Sequence, residues 1–97
     1  MDNLDTFALR LLKFIEDSVT EALHDPASRH GLLIEADCAL RVLQKTLLRE
    51  DPPKNAQLML LGVFDWSFEY IMNENPPDPS EKLKEAFAEV LKARLVL

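Results

Sequence analysis

The sequence predicts an all-α protein, a compact bundle of four mostly antiparallel helices with the fourth shorter than the others. Three observations lead there. Apolar residues recur at three- and four-residue steps through four segments, and no segment alternates as a strand would. The chain has two glycines and six prolines, and the prolines gather in clusters that stop one segment before the next begins. Finally, three Asp-Pro dipeptides divide the chain: Asp25-Pro26, Asp51-Pro52 and Asp78-Pro79. Each reads as a helix start, with Asp accepting hydrogen bonds from the first free N–H groups and Pro at the first helical position, where its missing N–H costs nothing.

Helix 1 is expected from about Asn3 to Leu23, on the inward stripe Leu4, Phe7, Ala8, Leu11, Leu12, Ile15, Val19 and Ala22. Helix 2 is expected from Pro26 or Ser28 to Arg49. Its stripe is Leu33, Ala36, Leu40, Leu43 and Leu47, widened by Leu32, Ala39 and Leu48. Gly31 weakens the first turn by roughly 1 kcal/mol relative to alanine, so a later start is open. Helix 3 is expected from about Pro53 to Asn73, followed by the loop Asn73-Glu74-Asn75-Pro76-Pro77. Helix 4 should begin near Pro79 and run to about Leu95, with Leu83, Phe87, Val90 and Leu91 facing inward. Asp78-Pro79-Ser80-Glu81 has the spacing of a capping box, with Glu three residues after the cap. Being short, helix 4 could also pack across one end rather than complete a regular bundle.

A chain of 97 residues is expected to form one helical domain over 1–97, with a modest core. The apolar fraction of 47% is that of a globular protein rather than a disordered one. A formal charge of −6 and a pI near 4.8 argue against direct nucleic-acid binding, which needs clustered Lys and Arg. Cys38 is the only cysteine, so no internal disulfide can form and nothing points to an oxidising compartment. The start MDNLDTFALRLL has acids before its apolar run and lacks the basic leader of a secretory signal. No apolar run is long enough to cross a bilayer. A cytoplasmic setting, with no membrane association, is the expectation.

The segment LMLLGVFDWSFEYIM, Leu58 to Met72, is too apolar for an ordinary surface helix, which carries one apolar stripe. At about 100° per residue, Leu61, Phe64, Phe68 and Ile71 share one face, extended by Leu60. Met59, Val63, Trp66 and Tyr70 share a second face, nearly opposite. A narrow polar stripe of Gly62, Asp65, Glu69 and Asn73 separates them on one side. Either helix 3 is enclosed by its neighbours, or one face packs inward while the other meets a second chain, a subunit or a different protein. Four helices enclose one of their number poorly, which favours the second. Asp65 and Glu69 would then form a charged rim beside the Trp66 anchor.

No other constellation specifies chemistry. His24, Asp25 and His30 match no strong metal-ligand spacing. Cys38 has no adjacent base and is expected to be a buried or half-buried small hydrophobe. Glu35, Asp37, Asp65 and Glu69 lack the Glu-x-x-His companions of a di-iron bundle. Arg41, Lys45 and Arg49 step by four along helix 2 and read as a solvated stripe, without the signature of a DNA-reading helix. No catalytic residue, cofactor or metal is expected.

A small acidic helical dimer resembles, in architecture alone and without a shared motif, bacterial antiactivators and anti-sigma-type regulators. The expected function is a non-enzymatic interaction module, a homodimer whose apolar face on helix 3 binds and inhibits or positions another protein, with a transcriptional regulator as first candidate. The alternative is an acidic nucleic-acid mimic that blocks a nucleic-acid-binding protein. A small enzyme is a third, weaker reading.

Overall fold

Four helices account for nearly all of the chain: α1 Asn3–His24, α2 Arg29–Leu48, α3 Asn55–Glu74 and α4 Ser80–Leu95. The computed structural model describes residues 3–74 and 76–95, with side chains over 6–74 and 76–92. No strand occurs among the described residues. The links between helices are only a few residues long, so each helix runs back along the one before it. Helix α1 packs on α2 and α4, and α3 packs on α2 and α4. The helices thus form a ring in chain order, in a body of 42 × 19 × 19 Å. Helix α4 completes this ring and does not cross its end.

The inward stripes pack as their spacing requires. Leu12, Ile15, Val19 and Ala22 of α1, Leu33, Ala36, Leu40, Leu43 and Leu47 of α2, and Leu61, Phe64, Phe68 and Ile71 of α3 are buried. From α4 come Leu83, Ala86 and Val90, with Phe87 packed at the margin. The rings of Phe64 and Phe68 lie tilted, 6.2 Å apart between centroids. Two residues assigned to these stripes turn outward. Phe7 is 45% exposed and Leu48 is 62% exposed, because each lies at the edge of its stripe. Leu4 falls outside the described side chains.

Only one of the three Asp-Pro dipeptides starts a helix. At Asp78 the carboxylate Oδ1 accepts the backbone N–H of Ser80 at 3.1 Å, and Pro79 accepts from Leu83 as the helix begins. Glu81 lies 3.9 Å from Lys84, one turn on. At Asp25, the carbonyl instead accepts from Ser28 at 3.2 Å, so Pro26 sits inside a tight turn, a position its fixed φ also suits. Helix α2 then starts at Arg29, with Ser28 making no side-chain cap. The Arg29 Nε donates to the carbonyl of Ala22 at 2.8 Å, closing the end of α1. At Asp51, helix α3 starts four residues later than the dipeptide, at Asn55. Pro53 directly succeeds Pro52, and a residue before proline is pushed out of the helical region.

The hydrogen bonds from the Ser80 side chain and backbone hold the Asp78 carboxyl below its ordinary value of 3.8. A carboxyl with a depressed folded pKa stabilises the fold above the unfolded value, and that contribution fades as pH falls through the folded value. Asp78→Ala is therefore expected to lower the melting temperature at pH 7, with the difference from wild type shrinking below about pH 3.8. An unchanged melting temperature at neutral pH would show that this cap contributes nothing.

Candidate protein-interaction surface

Helix α3 presents its second face to solvent. Met59 is 74% exposed, Trp66 67%, Val63 49% and Tyr70 40%. The enclosed-helix alternative is thereby excluded for the isolated chain: α3 has neighbours on two sides and none over this face. Trp66 and Tyr70 lie toward α4, where the Lys82 ammonium stands 5.9 Å from the Trp66 ring centroid and 5.4 Å from that of Tyr70. Lys82 also pairs with Glu85 at 3.3 Å. Two flat aromatic surfaces and one cation thus form a continuous strip along the α3–α4 side.

On the α2 side, Asp65 and Glu69 form a cluster that the sequence did not disclose. Arg41, read as part of a solvated stripe, reaches across from α2. Its Nη2 lies 3.7 Å from Asp65 and 3.6 Å from Glu69, while its Nε lies 3.5 Å from Asp37. The Oδ1 atoms of Asp37 and Asp65 are shielded from solvent and accept no hydrogen bond, so these contacts are loose ion pairs. Burial raises the Asp65 carboxyl above 3.8; Arg41 opposes this, and the Glu69 and Asp37 carboxylates add to it. A carboxyl with a raised folded pKa costs stability at neutral pH, and the cost is relieved as pH falls through the folded value. Arg41→Ala should strip three carboxylates of their counter-ion. The expected loss is roughly 1 kcal/mol at pH 7, since each exposed pair contributes little, and the loss should shrink toward pH 4. Urea unfolding at the two pH values checks this; an equal loss at both would remove Asp65 as the cause.

Cys38 is exposed, contrary to the expected burial. It sits among Leu11, Phe14, Ile34, Ala39 and Val42 in a shallow apolar groove between α1 and α2. Phe14, Ile34 and Val42 are each 45–46% exposed. This is a second apolar surface, on the side of the ring opposite α3 and α4. Sequence reading missed it, because neither helix alone shows more than a widened stripe.

The remaining candidates do not converge. His24 and His30 are exposed and Asp25 half-buried, and among the described residues no three His, Cys, Asp or Glu side chains gather as a metal site. A cleft of about 240 Å³ at the end of the bundle is lined by Pro76, Pro77 and Pro79 together with Arg29 and His30. Arg29 there is engaged with the Ala22 carbonyl. Among the described residues, no helix is long and apolar enough to cross a membrane. No protein-family model, no curated protein and no solved structure matches the chain.

Proposed function

We propose that this protein is a non-enzymatic interaction module: a small homodimeric regulator that binds another protein through the outer face of α3 and so inhibits or positions it, as an antiactivator does. A transcriptional regulator is the first partner to test. The observation that carries this reading is the exposure of Met59, Val63, Trp66 and Tyr70 on a helix whose opposite face fills the core. Trp and Tyr are enriched among residues that dominate binding energy, and a charged margin around them is the usual anatomy of an interface. Asp65 and Glu69, held by Arg41, supply that margin on one side, and Lys82 supplies it on the other. Left in water, an apolar strip of this size favours aggregation, so a partner that covers it has a physical role. The cytoplasm, where a lone exposed thiol stays reduced, is the compartment we assign.

The rival reading, nucleic-acid mimicry, draws only on the charge of −6. One experiment separates the two. The immobilised protein and its Trp66→Glu variant are used to capture partners from the native host, with elution by a salt gradient and identification by mass spectrometry. The proposal expects a partner that resists salt and is lost on Trp66→Glu. A partner that elutes steeply with salt and binds the variant equally well would favour mimicry.

A further inference from the structure

We infer that the element docking on the outer face of α3 is an amphipathic helix of another protein, which lays apolar residues along Met59, Val63 and Trp66 and sets a lysine or arginine in the cleft between Tyr70, Glu69 and Glu74. This rests on the interaction reading above and gives the partner its chemistry.

The spacing of the outer face suits a helix. Ala56, Met59, Val63, Trp66, Tyr70 and Asn73 are all exposed and recur at steps of three, four, three, four and three. At that spacing one helix takes the side chains of another between its own, at a crossing of about 20°. The inner face of α3 packs in the bundle with the same spacing, through Leu61, Phe64, Phe68 and Ile71. The outer row is about 26 Å long at ~1.5 Å per residue, room for about five turns of a second helix.

The charges at the end of this row favour a cation. Helix α3 ends on Glu74 and has no basic residue in its last turn. A helix C-terminus carries partial negative charge and favours a cation beside it, so a glutamate there has the wrong sign. Glu74 forms no ion pair among the described residues. Glu69 shares the Arg41 guanidinium with Asp65 and Asp37, three carboxylates on one cation. Lys45, one turn further along α2, lies toward the start of α3 because the two helices run antiparallel, so it leaves this excess unmet. Glu69 and Glu74 line a shallow cleft of about 180 Å³ together with Trp66, Tyr70 and Asn73. Aromatic faces attract cations, and these two already do so within the chain, where Lys82 stands over both rings. Lys82 does not line the cleft and is paired with Glu85, which leaves the cleft to a cation from outside. One basic side chain at the edge of an apolar contact is only partly screened, so such a partner still resists a salt gradient.

Trp66 is the only tryptophan in the chain, so its fluorescence reports on this face directly. The probes are two synthetic helical peptides long enough to span the row, with leucine at three- and four-residue steps. One carries arginine beside the leucines and the other glutamate. The arginine peptide should shift Trp66 emission to the blue and saturate, and the glutamate peptide should bind at least tenfold more weakly. Glu69→Lys combined with Glu74→Lys should reverse that preference at an unchanged helical spectrum. Glu21→Lys combined with Glu35→Lys, the same change of net charge at exposed acids on α1 and α2, should preserve it. The inference is overturned if neither peptide shifts the emission, if both bind equally, or if both double variants lose the preference alike. It is also overturned if emission shifts with the protein's own concentration while light scattering reports a dimer, since a second copy then covers the face. In the capture experiment, a partner lost on Trp66→Glu but kept by the Glu69→Lys, Glu74→Lys variant removes the basic helix and leaves the α3 reading standing. A partner kept by Trp66→Glu removes the α3 reading itself.

Discussion

Phe64→Ala is expected to cost about 3–5 kcal/mol of fold stability, the range for truncating a buried phenylalanine. Phe64 is fully buried and its ring leans on Phe68, so truncation removes packing from the centre of α3 and leaves a void that rigid helices fill poorly. A chain of this length has roughly 5–15 kcal/mol in all, so the loss consumes a large share of the total. At about 4–8 °C per kcal/mol for a domain of this size, the melting temperature should fall by at least about 12 °C. Urea unfolding followed by circular dichroism measures both. A loss below about 1 kcal/mol would mean that the inner face of α3 is loosely packed.

Two residues further along the same helix, Trp66→Glu should do the reverse. The indole is 67% exposed, so glutamate there faces water, and substitution of such a surface position usually stays within about 0.5 kcal/mol. Its contact with Lys82 contributes about 0.5–1 kcal/mol as a cation–π pair. A carboxylate at the same place keeps a cation nearby, so little is lost. Binding is another matter. Removing a central tryptophan costs about 2 kcal/mol or more, and desolvating an unpaired carboxylate against the partner adds several. Affinity for the captured protein should therefore drop by more than about a hundredfold, as each 1.4 kcal/mol is tenfold. Calorimetric titration with the identified partner, beside a thermal melt, reads both quantities. If Trp66→Glu melts as early as Phe64→Ala, the outer face of α3 is structural and the interaction surface lies elsewhere.

The inner faces were legible in the sequence because a helix converts spacing into direction: Leu33, Leu40 and Leu47, or Leu61, Phe64 and Phe68, can share a side only if the chain is helical. The excess on α3 was legible for the same reason, since Trp66 and Tyr70 lie nearly opposite Phe64. Whether that excess meets solvent depends on the packing of other helices, which no local pattern records. The same limit hid the α1–α2 groove. Phe14 and Ile34 each look incidental until two helices lie side by side, and Cys38 passes for an interior residue until its neighbours on α1 are known. Arg41 looked solvated because its acidic partners on α3 lie more than 20 residues away in the chain. Asp-Pro was misread twice because it suits a turn and a helix start equally; the next residues along the chain decide between them, as Pro53 does after Pro52.

The ring of helices has a consequence for the order of the chain itself. Three of its seams join consecutive helices, and the fourth, between α1 and α4, closes the circuit. In this antiparallel arrangement the start of α1 and the end of α4 lie at the same end of the body. A permuted chain, opened in the link between α2 and α3 and rejoined by a short linker from α4 to α1, would bury the same four seams. Its loop-closure entropy would change only slowly with linker length. Such a permutant should regain the helical spectrum and cooperative melting of the parent, whereas a permutant that stays unfolded would mean that the α2–α3 link does more than connect. Connectivity and architecture are in this sense separable: the seams define the protein, and the chain is one of several routes through them.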